Sequence, residues 1–224
     1  MTSERAHRPV LDAPIRALFE RVAALSDGRK PDLAAIGAAL VELAADVDYL
    51  TPWMRRLDGQ SGAVPIHAPA RGPRLTIVHR SEGQMSAVHD HGTWVAISSI
   101  VGVETHRRWR VLRDDGAPPR VELADDRALA RRDVATLLPP DDVHDHGHLA
   151  GRGPAAHVLI LLGDQQTRFT RNEWDPATGR HRVLVPGDGG RWLASEPMPS
   201  ETGAPSSLAV RPAPGRAGSG RSRA

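Results

Sequence analysis

Residues 83–102 read GQMSAVHDHGTWVAISSIVG. Within them His89 and His91 stand two residues apart, ahead of an apolar, β-branched run that closes at Gly102. On an extended chain alternate side chains share a face, so both imidazoles point one way and Asp90 the other. Two imidazoles one strand repeat apart can hold one metal ion from a single wall, and neutral imidazole suits zinc, iron, copper and nickel alike. The pentapeptide VHDHG returns at residues 143–147, where His144, His146 and His148 form an i, i+2, i+4 series. A lone histidine is more simply a solvent-facing or hydrogen-bonded residue. Five of the eleven histidines gathered in two short clusters on predicted strands point instead to a metal site. The flanks of the two copies do not match, so they read as unlike strands rather than halves of a duplication.

Outward from these clusters the chain keeps the texture of strands. From about Arg74, runs such as RLTIVHR, RVELA, DVATLLP, AAHVLILLG and HRVLVPG alternate with the turn signals DDGAPP, PPDD, GRGP and DPATG. Many short strands with such punctuation predict a mainly β sandwich or barrel. Two stretches before it have helical periodicity. Ile15, Leu18, Phe19, Val22 and Leu25 recur at that spacing, and so do Leu33, Ile36, Leu40, Leu43 and Val47 behind Pro31-Asp32. The division expected is a helical segment over 1–70 packed on the barrel, a barrel over 71–194, and a disordered tail over 195–224. In that tail Pro, Gly, Ser and Ala dominate without a period.

Composition narrows the function classes. The formal charge is +2, and the four arginines after Glu201, where no acid follows, leave residues 1–201 near −2, so the basic balance of the chain does not mark a binding face for nucleic acid on the domain. Cysteine is absent, which removes disulfides, thiolate metal sites and a cysteine nucleophile, and fits a cytoplasmic location. No apolar run approaches the roughly 20 residues of a membrane span, and the first ten residues lack the apolar centre of a signal peptide. The partners expected are a small-molecule substrate and dioxygen, with neither nucleic acid nor membrane.

The spacing Gly83, His89, His91, Gly102 resembles the first motif of the cupins. DVATLLPPDDVH (residues 133–144) resembles the second, with Pro139 and His144 in place and Asp133 and Asp141 where glycines are usual. The resemblance implies a single cupin β-barrel, or jelly roll, with the two helices packed on it. The usual cupin glutamate would fall at Val95 or Ala96 and is missing. That absence, together with VGVE (residues 101–104), and EWDPATG (residues 173–179) after Arg168 and Arg171, resembles the thiol dioxygenases. These include cysteine dioxygenase and, more closely, its bacterial 3-mercaptopropionate dioxygenase relatives. The resemblance runs from about Arg74 to Val185. It implies Fe(II) held by His89, His91 and His144, with Arg171 for a substrate carboxylate and His157 ordering the pocket behind the iron.

Several features keep alternatives open. His146 is in phase with His144 and rivals it as third ligand, although the motif spacing favours His144. His148 either borders the site or caps its strand. Arg168 and Arg171 lie on opposite strand faces, and in an arginine-rich chain both also fit a surface role. Trp94, Trp109 and Trp174 read as core. The Ser-x-His-x-Tyr set of the thiol dioxygenases is here Ala155, His157 and Leu159, so the serine and tyrosine are lost. Two other readings follow: a metal cupin with non-thiol chemistry (isomerase, hydrolase or oxygenase), and a cupin sensor without turnover.

Overall fold

Strand-forming segments outnumber helical ones, and their pairing sets the architecture. The computed structural model describes residues 12–26, 30–57, 59–69, 71–113, 119–163, 170–186 and 192–194. Three helices come first: α1 (Ala13–Ser26), α2 (Leu33–Ala44) and α3 (Val47–Met54). Twelve strands follow. They are β1 (Gly62–His67), β2 (Arg74–His79), β3 (Val88–His89), β4 (Val95–Val101), β5 (Glu104–Leu112) and β6 (Arg120–Leu129), then β7 (Val134–Leu137), β8 (His144–Gly147), β9 (His157–Leu162), β10 (Arg171–Asp175), β11 (Arg180–Pro186) and β12 (Trp192–Ala194). One sheet has the order β1-β2-β9-β4-β7 and the other β12-β11-β10-β3-β8-β5-β6. The mainly β double sheet with helices packed on it that the sequence predicts is the fold observed.

Each sheet buries its two faces differently. On the five-stranded sheet, Leu75, Ile77, Ala96, Ile100, Leu159 and Leu161 join Ile36 and Leu40 of α2 and Leu18 and Val22 of α1 in one apolar cluster. The alternating residues Val78, Val95, Ile97, Val158, Ile160 and Leu162 form a second cluster with Leu129 from the seven-stranded sheet. That second cluster is the apolar wall of the barrel interior. Gly37 lets α2 settle on the sheet, since a Cβ there would stand 3.1 Å from Thr136 Cγ2.

Two sequence expectations are corrected. The periodic run through Val47 is broken into two helices, because the Asp46 side chain accepts a hydrogen bond from Tyr49 N (3.1 Å) and starts α3. An N-cap of that kind offers the chain a new start that outweighs continuing the turn. Residues 62–67, inside the segment expected to be helical, form the edge strand β1, so the barrel begins before residue 71. The tail expected over 195–224 lies outside the described residues, and so does Arg168. No helix among the described residues is long and apolar enough to cross a membrane.

The turn from β4 to β5 depends on Gly102. Its φ is +77°, and a Cβ there would lie 2.4 Å from Ala155 O, a backbone atom that cannot swing away. Strain in both the dihedral and the contact is expected to cost at least about 2 kcal/mol in Gly102→Ala. Urea unfolding of the metal-free protein measures this, and an unchanged midpoint would contradict the geometry.

Candidate metal centre

The histidine strands belong to the seven-stranded sheet, and register brings them together. His89 of β3 is paired directly with His144 of β8, and Glu173 of β10 stands opposite His89 on the other side. Cross-strand partners share a face. His89, His144 and Glu173 therefore point the same way, while Val88 and Trp174 pack with Val143 on the reverse face. His146 is opposite His106 of β5, which adds a fourth imidazole to the interior row.

One nitrogen from each of His89, His91 and His144 lies within 4.8 Å of the others, and all three residues are buried. His89 Nδ1 meets Ala87 O at 2.8 Å, and His144 Nδ1 meets Asp142 O at 2.7 Å. A carbonyl only accepts, so each Nδ1 is the protonated nitrogen and each Nε2 carries a bare lone pair. His144 Nε2 is buried without a partner. His89 Nε2 and His91 Nε2 face each other at 3.0 Å. Two nitrogens each ~2.1 Å from one ion and at right angles would stand ~3.0 Å apart. The donor set fits a cation held by three neutral ligands, and His91 supplies its share from the loop after β3. That loop is pinned by Asp142, whose Oδ2 accepts from His91 N (2.9 Å) and Gly92 N (3.1 Å).

Electrostatics keeps these rings uncharged. Burial holds His89 and His91 well below the ordinary imidazole range, with Arg171 the next contributor. Burial, reinforced by His146, pushes His144 down to about 3. His146 falls to about 3 through burial and then Arg80. Neutral imidazole is the ligand form, so nothing need be deprotonated before a metal binds.

His146 is placed differently. It stands outside the group of three, its ring centroid 6.1 Å from that of His89, and its Nδ1 meets Glu104 Oε1 at 2.6 Å. Burial pushes Glu104 up to about 8. With the imidazole also uncharged, the contact at neutral pH is a hydrogen bond from the carboxyl to Nδ1 rather than an ion pair. His148 donates from Nε2 to Gly153 O (2.7 Å) and closes its own loop.

The two aspartates of the repeated pentapeptide face away from the histidines, as alternation requires. Asp90 accepts from Asn172 N (2.7 Å) and Nδ2 (2.6 Å). Asp145 is paired with Arg107 and accepts from Trp109 Nε1 (3.0 Å). Trp94 and Trp174 are buried, and Trp109 packs against the cluster around Trp174.

Arg171 shares the Glu173 face, and its charge acts on His89, His91, His144 and His146. Its Nε is buried without a partner, and Nη2 is 3.6 Å from Glu173 Oε1. His157 is not brought to this group. Alternation puts it with Leu159 and Leu161 on the helix-covered face, where it stacks on His79 at 4.4 Å. Val95 and Ala96, where a cupin glutamate would fall, go into apolar clusters on opposite faces of their sheet. Sequence reading missed His106, Glu104 and Arg80. The alternation of Glu104, His106 and Arg108 was the available signal, but only cross-strand register shows where it points.

No protein-family model and no curated protein matches the chain. Solved structures do match it. DMSP lyase DddQ from Ruegeria pomeroyi is 15% identical over 75% of this chain and 80% of its own, with a TM-score of 0.35. A cupin-like protein from Thermotoga maritima is 20% identical over 55% and 65%, with a TM-score of 0.27. Hydroquinone 1,2-dioxygenase from Sphingomonas sp. TTNP3 is 11% identical over 46% and 65%, with a TM-score of 0.32. The match thus spans just under two thirds of the last two chains. None of these likenesses bears on substrate or reaction. Fold and site together define a two-sheet, mainly β protein with a three-histidine candidate metal site.

His157 offers a test away from the ligands. Burial pushes it down to about 4, with His79 adding to the shift, and its Nε2 is buried without a partner. Between about pH 6.5 and 4 the unfolded chain binds a proton at this position that the folded chain does not. Its contribution is therefore present above that window and lost as pH falls through it. The melting temperature of metal-free His157→Leu is expected to fall less between pH 6.5 and 4 than that of the parent, and parallel curves would refute the assignment.

Proposed function

We propose that the protein is a mononuclear non-haem iron dioxygenase of the cysteine dioxygenase-like kind, with His89, His91 and His144 as ligands of Fe(II). Its substrate in this reading is a small carboxylated, thiol-bearing molecule oxidised with O2. The observation that carries the reading is three uncharged imidazoles converging without a carboxylate among them. Fe(II) held by these three histidines would supply what no side chain can, the activation of dioxygen.

The rest falls to the chain. Ala87 O and Asp142 O fix the tautomers of His89 and His144, and the Asp142 carboxylate holds the His91 loop. Outer contacts of this kind orient ligands and support metal affinity. Arg171 presents a guanidinium to the same space, a group suited to grip a carboxylate with two parallel hydrogen bonds. Val158, Ile160 and Leu162 on the facing wall exclude water from the reacting groups. A second reading, a metal cupin with non-thiol chemistry, draws support from Leu159, which sits in the helix-side core where the thiol dioxygenases carry a tyrosine.

Alanine replacement of His89, His91 or His144 is expected to remove most of the iron, and His146→Ala to keep it. Iron analysis after anaerobic purification decides. Full iron in His144→Ala with loss in His146→Ala would exchange their roles.

Oxygen-electrode assays on a thiol panel separate the two chemistries. Turnover of 3-mercaptopropionate is expected to exceed that of cysteine, whose ammonium has no evident partner. Arg171→Ala is expected to lose about 2–5 kcal/mol of transition-state stabilisation with the mercapto acid while iron content holds. Oxygen uptake with no thiol would leave the non-thiol reading.

A further inference from the structure

Two guanidiniums, from opposite sheets, reach into the histidine interior. Arg171 comes from β10 on the face shared with His89. Arg80 immediately follows β2 and continues the row of Thr76 and Val78, the row that packs into the barrel. The Nε atoms of both are buried without a hydrogen-bond partner. Both charges act on His146, and Arg80 disfavours the charge of Arg171.

Neither has a carboxylate to itself. The acids that act on Arg171 are Glu173 and Asp90. Glu173 is shared: its Oε2 accepts from Arg182 Nε (3.0 Å) and Nη2 (2.6 Å), while Arg171 Nη2 stands 3.6 Å from Oε1, so its single charge serves two guanidiniums. Asp90 is committed to the backbone and side chain of Asn172. The acid that acts on Arg80 is Glu104, whose Oε1 is bonded to His146 Nδ1. A buried charge without a matched counter-ion is unfavourable, so two such charges favour a ligand that brings two anionic groups. The three histidines add no negative charge to offset them.

We propose that Arg80 is a specificity-determining residue, and that the substrate carries two separate acidic groups, one held by Arg171 and the second by Arg80. The inference deepens the reading of Arg171 above and rests on it for the first carboxylate. It does not depend on the thiol or on oxygen chemistry.

Binding to the iron-loaded protein, measured anaerobically by calorimetry, tests it without turnover. The probes are succinate against propionate, and 2-mercaptosuccinate against 3-mercaptopropionate. In each pair the diacid is expected to bind at least about tenfold more tightly. Arg80→Met is expected to bring both ratios close to one, and Arg80→Lys to leave them in between, since an ammonium keeps the charge and loses the fork. Equal affinity of diacid and monoacid in the parent protein would overturn the proposal even if neither variant folds. Ratios unchanged in Arg80→Met would overturn it too. A diacid preference accompanied by no thiol-dependent oxygen uptake would sustain this inference while removing the thiol dioxygenase reading.

Discussion

Two backbone carbonyls, those of Ala87 and Asp142, determine what the buried histidines can do. Each accepts the Nδ1 proton of an imidazole two residues further along the chain. The opposite nitrogen is thereby left as an acceptor, and two such nitrogens converge with that of His91. His144 Nε2 is buried without a partner, which is unfavourable. A cation bound there would satisfy it and draw on the neighbouring imidazoles as well. The arrangement makes little sense as packing alone, because the same strands could have buried aliphatic side chains at lower cost.

The repeated pentapeptide shows how far identical sequence carries identical structure. In both copies the histidines turn inward and the aspartate outward, because extended backbone imposes a period of two. Beyond that the copies diverge. Asp90 ties the first strand to Asn172 of β10, and Asp145 ties the second to Arg107 and Trp109 of β5. The second copy continues as strand through Gly147, and His146 sits beside Glu104. The first leaves the sheet after His89, and its second histidine is set by a loop that Asp142 holds. Backbone path, rather than residue identity, separates His91 from His146.

What could be read from the sequence was whatever depends on local period. The barrel class, the facing of His89, His144 and Asp90, and the apolar role of Trp94 and Trp174 all follow from alternation and spacing. What could not be read depends on register between distant strands. His106, Glu104 and Arg80 reach the interior because β5 pairs with β8 and β2 lies across the barrel, facts that no local window contains. The same limit misplaced His157, whose motif position suggested the iron side. Its cross-strand partner is His79, and the helix-covered residues Leu159 and Leu161 fix its face. The third helix escaped for a different reason: the hydrophobic period continues through Val47, and only the side chain of Asp46 interrupts it.

The interior is chemically lopsided, and that asymmetry governs what it can hold. The five-stranded sheet offers Val78, Val95, Ile97, Val158, Ile160 and Leu162, with Arg80 just past the end of β2, while the seven-stranded sheet offers imidazoles, carboxyls and the Arg171 guanidinium. An apolar wall lowers the local dielectric and strengthens every charge interaction on the polar side. Val95 and Ala96 supply no carboxylate where cupins commonly have one, so a divalent ion on three neutral ligands would keep its full charge. Arg171 adds to the positive field, and Glu173 is largely taken up by Arg182. A cation and a buried guanidinium side by side repel unless an anion lies between them. An acidic ligand lying between a bound cation and Arg171 would relieve that repulsion, so in the proposed reading it would bind more tightly to the metal-loaded site than to the empty one.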